Sequence, residues 1–278
     1  MNNKSFTLIE LLLVISIIGL LTLVIVSGLR STTDRAKIAR TLLYQASLHR
    51  SIGYHLVGWW NFNHGEDSAS LCGLANRACD ISGYNNHGIL VNFSGDPYVE
   101  GVPGKEGHGL IFESEDYLNF GDSSSLRIED EISFSVWVKI PNPTTGTHII
   151  FAKGSGSDTD YWADIRSSGV FLWGGYGVGG TWYVSSNPEI TEGDKWYHLA
   201  GTYNRIRNEA YINGVLAGDT GRSWQINTSN TDLQAGKRGS TGSFIGTIDD
   251  LRIYNTALTA EEIQRIYTET KHKYLATE

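Results

Sequence analysis

The hydrophobic positions of the chain follow two patterns that change at residue 55. Residues 5–29 form an almost unbroken apolar run in which Glu10 is the single charge. At about 1.5 Å per residue, residues 11–29 are long enough to cross a hydrocarbon core of roughly 30 Å as a helix. Residues 32–54 then place apolar side chains near helical spacing between Arg and Lys. This pattern predicts that the helix continues outward as a soluble stem.

Beyond residue 55 the pattern is typical of β-strands. Short apolar and aromatic segments alternate with clusters of Gly, Asn, Asp and Ser, and many segments alternate with period two. The clearest alternation sets four apolar positions, Ile132, Phe134, Val136 and Val138, against Ser133, Ser135, Trp137 and Lys139. Asn213-Gly214 between two such segments predicts a two-residue hairpin. Strands this numerous and this evenly spaced predict a sandwich or jelly roll.

The last element of the pattern is a short helix. Thr259 and Glu262 have the spacing of a capping box, in which the hydroxyl and the carboxylate satisfy free amides of the first turn. Ile263, Ile266 and Tyr267 would then pack this helix on the sheet. The residues from 270 onward are polar.

Composition supports β structure and excludes one class of partner. With Gly 32, Trp 8, Tyr 14 and Phe 9 against Met 1 and Pro 5, the chain favours aromatic strands joined by glycine turns. The net charge of −8 argues against nucleic acid as a partner, because nucleic-acid binding calls for a basic surface.

The motif around Glu10 connects the apolar run with a known family. Residues Lys4-Ser5-Phe6-Thr7-Leu8-Ile9-Glu10, followed by an apolar run with Gly19, resemble the class III signal of type IV pilins and pseudopilins. The resemblance implies that a prepilin peptidase cuts between Ser5 and Phe6 and methylates the new amine of Phe6. Ser5 departs from the Gly that the family prefers, although it keeps the position small.

The same resemblance gives Glu10 a role in assembly. Its carboxylate would pair with the Phe6 amine of a neighbouring subunit in the filament, because a charge leaving water needs an opposite charge. A secretory signal would have a shorter apolar core and a small-residue cleavage site after it. A plain membrane anchor would have no reason to carry Glu10, since an acid in a membrane segment is costly.

Cys72 and Cys79 lie in the part of the chain that a pilin-type signal would export. A disulfide that closes a short loop is the simplest prediction there, because oxidising compartments favour disulfides. A two-cysteine metal site is the weaker alternative, since no Cys or His partner stands at zinc spacing.

Six segments carry a second resemblance. They are Leu56-Val57-Gly58-Trp59-Trp60-Asn61-Phe62, Asp80-Ile81-Ser82-Gly83-Tyr84-Asn85-Asn86-His87-Gly88, Phe134-Ser135-Val136-Trp137-Val138, Trp196-Tyr197-His198-Leu199-Ala200-Gly201-Thr202-Tyr203, Tyr211-Ile212-Asn213-Gly214 and Ile248-Asp249-Asp250-Leu251-Arg252-Ile253-Tyr254. Their order is similar to that of the laminin G-like jelly roll of the concanavalin A-like lectin and glucanase superfamily.

Together these patterns predict a mainly β chain. Its centre is an antiparallel jelly-roll sandwich, preceded by a long N-terminal pilin-type transmembrane and stem helix and followed by a short C-terminal helix. The predicted domains are a prepilin leader at 1–5, the helix at 6–54, the laminin G-like domain at 55–269 and a polar tail at 270–278.

A structural Ca²⁺ is the first candidate site. Laminin G-like jelly rolls often hold one, and the resemblance implies Asp80, Asn86 and either Asp249 or Asp250 as ligands, with backbone carbonyls completing the shell. Tyr84 stands where many relatives have Asn, which removes one oxygen. The alternative is that Asp80 makes an Asx turn and Asp250 a salt bridge to Arg252.

A sugar-binding surface is the second candidate. Aromatic faces stack on sugars while nearby polar groups bind the hydroxyls. The aromatic residues in Gly- and Ser-rich surroundings are Trp162, Trp173, Tyr176, Trp182, Tyr183 and Trp224. Among them we expect Trp173, Tyr176 and Trp182 to line a glycan or protein contact surface, with core packing as the alternative.

Catalysis is the third candidate, and it requires two carboxylates at a defined separation. Glu113-Ser114-Glu115-Asp116 lacks the Glu-x-Asp-x-Glu order of the glucanases and is closer to a turn of their non-catalytic relatives. We therefore do not expect an enzyme.

These inferences predict a minor pilin or adhesin with a lectin-like head that binds a glycan or a surface protein outside the cell. Its other partners would be pilin subunits, prepilin peptidase and the membrane. The precursor would span the inner (cytoplasmic) membrane once and then join a pilus-like filament at the cell surface. The alternatives are a structural pseudopilin of a type II secretion or DNA-uptake machine, and a surface-displayed enzyme that acts on glycans.

Processing of the leader gives the first testable prediction. Mass spectrometry of the mature protein should find N-methylated Phe6 at the amino terminus, because the peptidase recognises the residues around Glu10. A mature chain that still begins at Met1 would contradict the pilin-type interpretation.

Overall fold

The computed structural model describes residues 52–62, 77–95, 98–100, 108–239 and 241–271. The chain divides into two units between Tyr54 and His55, and the unit from His55 onward is described here by itself. Ser5, Phe6, Glu10 and nearly all of the predicted N-terminal helix lie outside the described residues, as does Cys72. Within the described ranges, no helix combines the length and apolarity needed to span a membrane.

Strands dominate the described residues. They are β1 Leu56–Trp60, β2 Arg77–Ala78, β3 Gly88–Val91, β4 Tyr98–Glu100, β5 His108–Phe112, β6 Tyr117–Gly121, β7 Ile132–Lys139, β8 His148–Lys153, β9 Tyr161–Ile165, β10 Phe171–Gly177, β11 Gly180–Ser185, β12 Trp196–Tyr203, β13 Arg207–Ile212, β14 Val215–Gly221, β15 Leu233–Ala235, β16 Lys237–Arg238, β17 Thr241–Ser243 and β18 Gly246–Tyr254. A helix, α1, follows at Ala260–Thr270.

The strands form two sheets. The first has the order β14-β13-β12-β7-β18-β5-β4, and β1 pairs with the far end of β18. The second has the order β11-β10-β9-β8-β15-β6-β3-β2, while β16 and β17 form a hairpin whose second strand reaches β8. Apart from that parallel β17–β8 contact, the pairings are antiparallel, as expected for a jelly-roll sandwich. The predicted fold class is confirmed.

The alternation in β7 separates the two faces of the first sheet. Ile132, Phe134, Val136 and Val138 face the core between the sheets, as their period of two predicts. Trp137 points the other way and is buried under α1. Its ring stacks on Tyr267 with centroids 5.8 Å apart, and its Nε1 donates to Thr270 Oγ1 at 2.9 Å. The helix therefore covers the outer face of the first sheet.

Aromatic contacts join the two sheets. Trp182 of β11 stacks on Tyr203 of β12, with ring centroids 4.1 Å apart and planes at 12°. Trp173 of β10 packs on Phe134 of β7 at 4.7 Å. Gly201 lies against this contact, and a Cβ there would meet the Trp173 ring at 2.5 Å. Only glycine fits this position without moving the ring.

Two local predictions are confirmed. Asn213 and Gly214 adopt positive φ of 51° and 76° in the hairpin between β13 and β14, as an Asn-Gly turn requires. Thr259 accepts a hydrogen bond from the Glu262 amide, and the Glu262 side chain accepts one from the Thr259 amide at 2.8 Å.

Cys79 follows β2 and is buried, and the described residues contain no free cysteine. Because the proposed partner Cys72 lies outside those residues, the Cys72–Cys79 disulfide stays a prediction.

Candidate ligand-binding face

The predicted aromatic surface divides between two faces of the second sheet. Trp173 and Trp182 are both 0% exposed and belong to the core between the sheets. The prediction that these two line a ligand surface is therefore wrong. Tyr176, three positions after Trp173 in β10, is half-buried and points to the outer face. An odd separation within a strand places two side chains on opposite faces.

The outer face of the second sheet carries a different aromatic set. The register aligns Trp162 of β9 with Gly174 of β10 and Tyr183 of β11, so these three positions share one face. The ring centroids of Trp162 and Tyr176 are 5.7 Å apart. Tyr183 is 47% exposed. We call this surface, defined by Trp162, Tyr176 and Tyr183, the outer aromatic face.

The β16–β17 hairpin covers one side of this face. Its second strand reaches β8, where Ser243 pairs with His148. Its first strand places Arg238 over the Trp162 ring, with 4.4 Å between the guanidinium carbon and the ring centroid. Arg238 also donates to Thr159 Oγ1 at 3.3 Å and to the Gly156 carbonyl at 3.4 Å. Trp162 is consequently almost fully buried although it lies outside the main core.

Asp164 lies on the same face, two positions after Trp162, and its side chain is 0% exposed. Its Oδ1 is 2.8 Å from Arg166 Nε, and the Arg166 side chain remains 43% exposed. Burial raises the pKa of Asp164 from 3.8 to about 6, and the nearby positive charges of Arg166 and Arg238 oppose that rise.

Four buried polar atoms at this place have no hydrogen-bond partner within the described protein. They are both carboxylate oxygens of Asp164, Trp162 Nε1 and Arg166 Nε. The Asp164–Arg166 pair is close enough for an ion pair, but its alignment is too poor for a hydrogen bond. Buried polar atoms are normally paired, and leaving them unpaired costs stability. The described protein therefore leaves the hydrogen-bonding capacity of these four buried atoms unused.

The predicted calcium ligands have other partners. Asp80 Oδ1 accepts from the Trp59 and Ser82 amides, and its Oδ2 accepts from Ser82 Oγ and the Asn86 amide, all at 2.9 Å. The Asn86 side chain donates to the Val57 carbonyl at 2.7 Å. Asp80 thus makes the Asx turn that was the alternative to a metal site.

Asp250 belongs to a second network on the other side of Trp59. It accepts from Trp59 Nε1 at 2.7 Å and from both Nε and Nη2 of Arg252, at 3.1 and 2.8 Å. Asp249 accepts from the Asp250 amide at 2.6 Å. Among the described residues, no three His, Cys, Asp or Glu side chains form a group that could hold a metal ion. Each of these four residues thus has a partner within the protein, and the calcium site stays a prediction.

The acidic string lies in a tight turn. Glu113, Glu115 and Asp116 connect β5 to β6, and Asp116 Oδ2 accepts from the Glu113 amide at 2.8 Å. Glu115 has a positive φ of 74° and pairs with Lys237 at 3.2 Å. These acidic residues therefore stabilise a turn, which is what their order in the sequence predicts.

Two parts of the sequence match known protein families. Residues 112–264, more than half of the chain, match the concanavalin A-like lectin/glucanases superfamily. The chain belongs to this superfamily. Residues 1–26 match the prokaryotic N-terminal methylation motif, so a pilin-like amino terminus precedes a lectin-like jelly roll. A search of curated proteins found no match.

Solved structures share the superfamily fold. Domain 4 of AbnA, an extracellular arabinanase from Geobacillus stearothermophilus, is 23% identical with a TM-score of 0.54, over 77% of this chain and 98% of that domain. The botulinum neurotoxin serotype G binding domain is 17% identical with a TM-score of 0.57, over 78% of this chain and 51% of that one.

The binding domain of Paraclostridial Mosquitocidal Protein 1 is 14% identical with a TM-score of 0.56, over 80% of this chain and 53% of that one. The chain spans about half the length of the two toxin binding domains. At these identities the likeness shows the fold alone.

Asp164 gives a prediction about stability. A carboxyl whose pKa is higher in the folded than in the unfolded chain costs stability that grows as the pH rises above the unfolded pKa and is complete above the folded pKa. A rise from 3.8 to about 6 corresponds to roughly 3 kcal/mol. Asp164→Asn should therefore raise the free energy of unfolding at pH 7.5 by up to about that amount, and the gain should vanish near pH 4.

Urea denaturation at both pH values measures this difference. Asp158→Asn, at an exposed aspartate after β8, is the matched control and should change stability by less than about 0.5 kcal/mol. A destabilised Asp164→Asn at pH 7.5 would show that the carboxylate is paired more favourably than its burial implies.

Calcium gives a separate prediction. Because Asp80 and Asp250 already have protein partners, a chelator should leave the thermal midpoint of the head unchanged. The melting curve of the purified chain with EDTA and with added Ca²⁺ measures this. A midpoint that falls on chelation would restore the calcium site predicted from the sequence.

Proposed function

We propose that the chain is a minor pilin or pilin-like surface subunit whose lectin-like head binds a glycan outside the cell through the outer aromatic face. The pilin-like motif at residues 1–26 and the concanavalin A-like domain support a membrane-inserted precursor that carries a binding head into a filament. Its partners in assembly would be prepilin peptidase and other pilin subunits, with Phe6 and Glu10 as the contact groups.

The unpaired polar atoms beside exposed aromatic surface carry the proposal. These atoms are buried in the unbound chain beneath Arg238, so a sugar has to displace that cover to reach them. A sugar hydroxyl both donates and accepts, and it could then pair with the Asp164 carboxylate and with the N–H groups of Trp162 and Arg166. Tyr183 is exposed and Tyr176 half-exposed on the same face, and such rings pack against the apolar face of a sugar. This combination fits a saccharide better than a purely apolar partner.

The related arabinanase domain supports the ligand class. Domain 4 of AbnA was solved in complex with arabinotriose, an oligosaccharide. The shared fold is thus compatible with glycan binding, although the contacts in this chain have to come from its own residues.

Two alternatives predict different behaviour. A structural pseudopilin would use its head for assembly and bind no glycan. An enzyme would need a pair of carboxylates facing a substrate. Asp164 is paired with Arg166, and the string from Glu113 to Asp116 lies in a turn. A binding function without catalysis fits these arrangements best.

A glycan array probed with the full-length chain in detergent tests the proposal. Tyr183→Ala should weaken binding roughly three- to tenfold, because it removes an aromatic contact. Tyr84→Ala removes a comparably exposed tyrosine from the loop before β3 and should leave binding unchanged.

An array without a hit, repeated with Ca²⁺ present, would contradict the glycan proposal. Equal losses in the two variants would contradict the assignment of binding to the outer aromatic face.

A further inference from the structure

We infer that the outer aromatic face binds an acidic saccharide, one whose sugar rings carry carboxylate groups. This inference rests on the proposed glycan-binding function and specifies the ligand class. It depends on the charges that surround Trp162, on the burial of Arg238 and on the way Arg238 lies on the indole ring.

The charges at the site do not balance. Two guanidinium groups, those of Arg166 and Arg238, act on one carboxylate, that of Asp164. The site therefore has an excess of one positive charge, although the whole chain has a net charge of −8. A local field of opposite sign to the rest of the protein favours an anionic ligand.

The burial of Arg238 strengthens this preference. Desolvation lowers the pKa of Arg238, so its positive charge is less well solvated than that of an exposed arginine. A carboxylate that forms two parallel hydrogen bonds with the guanidinium would offset this cost. A neutral sugar would leave much of it in place.

Arg238 lies over the Trp162 ring, with its guanidinium carbon 4.4 Å from the ring centroid. A guanidinium on an aromatic ring makes that contact through its flat face, whereas its N–H groups point along the plane. Besides its interaction with Tyr176, Arg238 donates to Thr159 Oγ1 and to the Gly156 carbonyl at 3.3 and 3.4 Å, at the long end of hydrogen bonding. A stronger acceptor such as a carboxylate can replace them.

The neighbouring strands extend the polar surface. The register aligns Gln234 of β15 with Ala152 of β8 and with Asn119 of β6, in the cross-strand row that also contains Trp162. The Gln234 amide can both donate to and accept from hydroxyls, whereas Asn119 already donates to Asp232 and accepts from the Gly121 amide. A row that crosses several strands suits an oligosaccharide, with its carboxylate at Arg238 and further rings along the sheet.

Matched pairs of saccharides test the inference. The full-length chain in detergent is titrated with oligogalacturonate, oligoglucuronate and oligomannuronate, and with each oligomer after its carboxyl groups are reduced to alcohols. We expect at least one acidic oligomer to bind about tenfold more tightly than its reduced form, as a charge-assisted bidentate contact implies.

Two variants and one control locate the preference. Arg238→Gln should reduce the ratio between acidic and reduced forms to about one, since it removes the charge and keeps hydrogen-bond donors. Arg166→Gln is the second test variant and should also lower the ratio. Arg222→Gln removes a positive charge from the exposed segment after β14 and should keep the ratio of the unmodified chain.

The outcomes separate the inference from the function on which it rests. Equal binding of acidic and reduced forms, or binding confined to other neutral glycans, overturns the acidic-saccharide inference and leaves glycan binding intact. Binding to no glycan overturns the proposed function itself. An acidic preference that Arg238→Gln and Arg166→Gln both retain would overturn the assignment to this site.

Discussion

The contact between the two sheets depends on the stack of Trp182 on Tyr203. Tyr203 is also fixed from its other end, because its hydroxyl donates to the Trp224 carbonyl at 2.6 Å and accepts from the Trp224 amide at 2.8 Å. Since Trp182 is anchored inward, its neighbour Tyr183 must point outward. The position of the outer aromatic face is therefore a consequence of how the core is packed.

Each sheet also buries side chains on its outer face, and the two covers differ in chemistry. The helix α1 covers Trp137 and His198, and burial lowers the pKa of His198 to about 3, which keeps its imidazole neutral. The β16–β17 hairpin instead brings the charged side chain of Arg238 onto Trp162 and Asp164. The first cover lies over neutral rings beside the buried Asp250–Arg252 ion pair, whereas the second places an arginine over an indole.

The sequence allowed the fold to be predicted because its signals are local. Strand alternation, the Asn213-Gly214 turn and the Thr259 capping box each depend on residues a few positions apart. The alternation of side chains along β11 could also have shown that Trp182 and Tyr183 point to opposite faces of the sheet. The same alternation along β10 puts Trp173 and Tyr176 on opposite faces. The burial of Asp164 could not be predicted, because its cover comes from Arg238, far away in sequence. The hydrogen bonds of Trp59 could not be predicted either, because its partners are distant in sequence. Its amide donates to Asp80 and its indole N–H donates to Asp250.

The pairing of β1 with β18 has a mechanical consequence for any tension that reaches this domain through the chain before it. Any pull transmitted through the preceding chain enters the head at His55 and reaches β1 first. This strand pairs antiparallel with β18 from Leu56 opposite Tyr254 to Trp60 opposite Leu251, with an irregularity between Leu56 and Gly58. The indole of Trp59 adds its bond to Asp250. The first strand that such tension reaches is thus bonded to a long central strand of the first sheet, which itself pairs with β7 and β5.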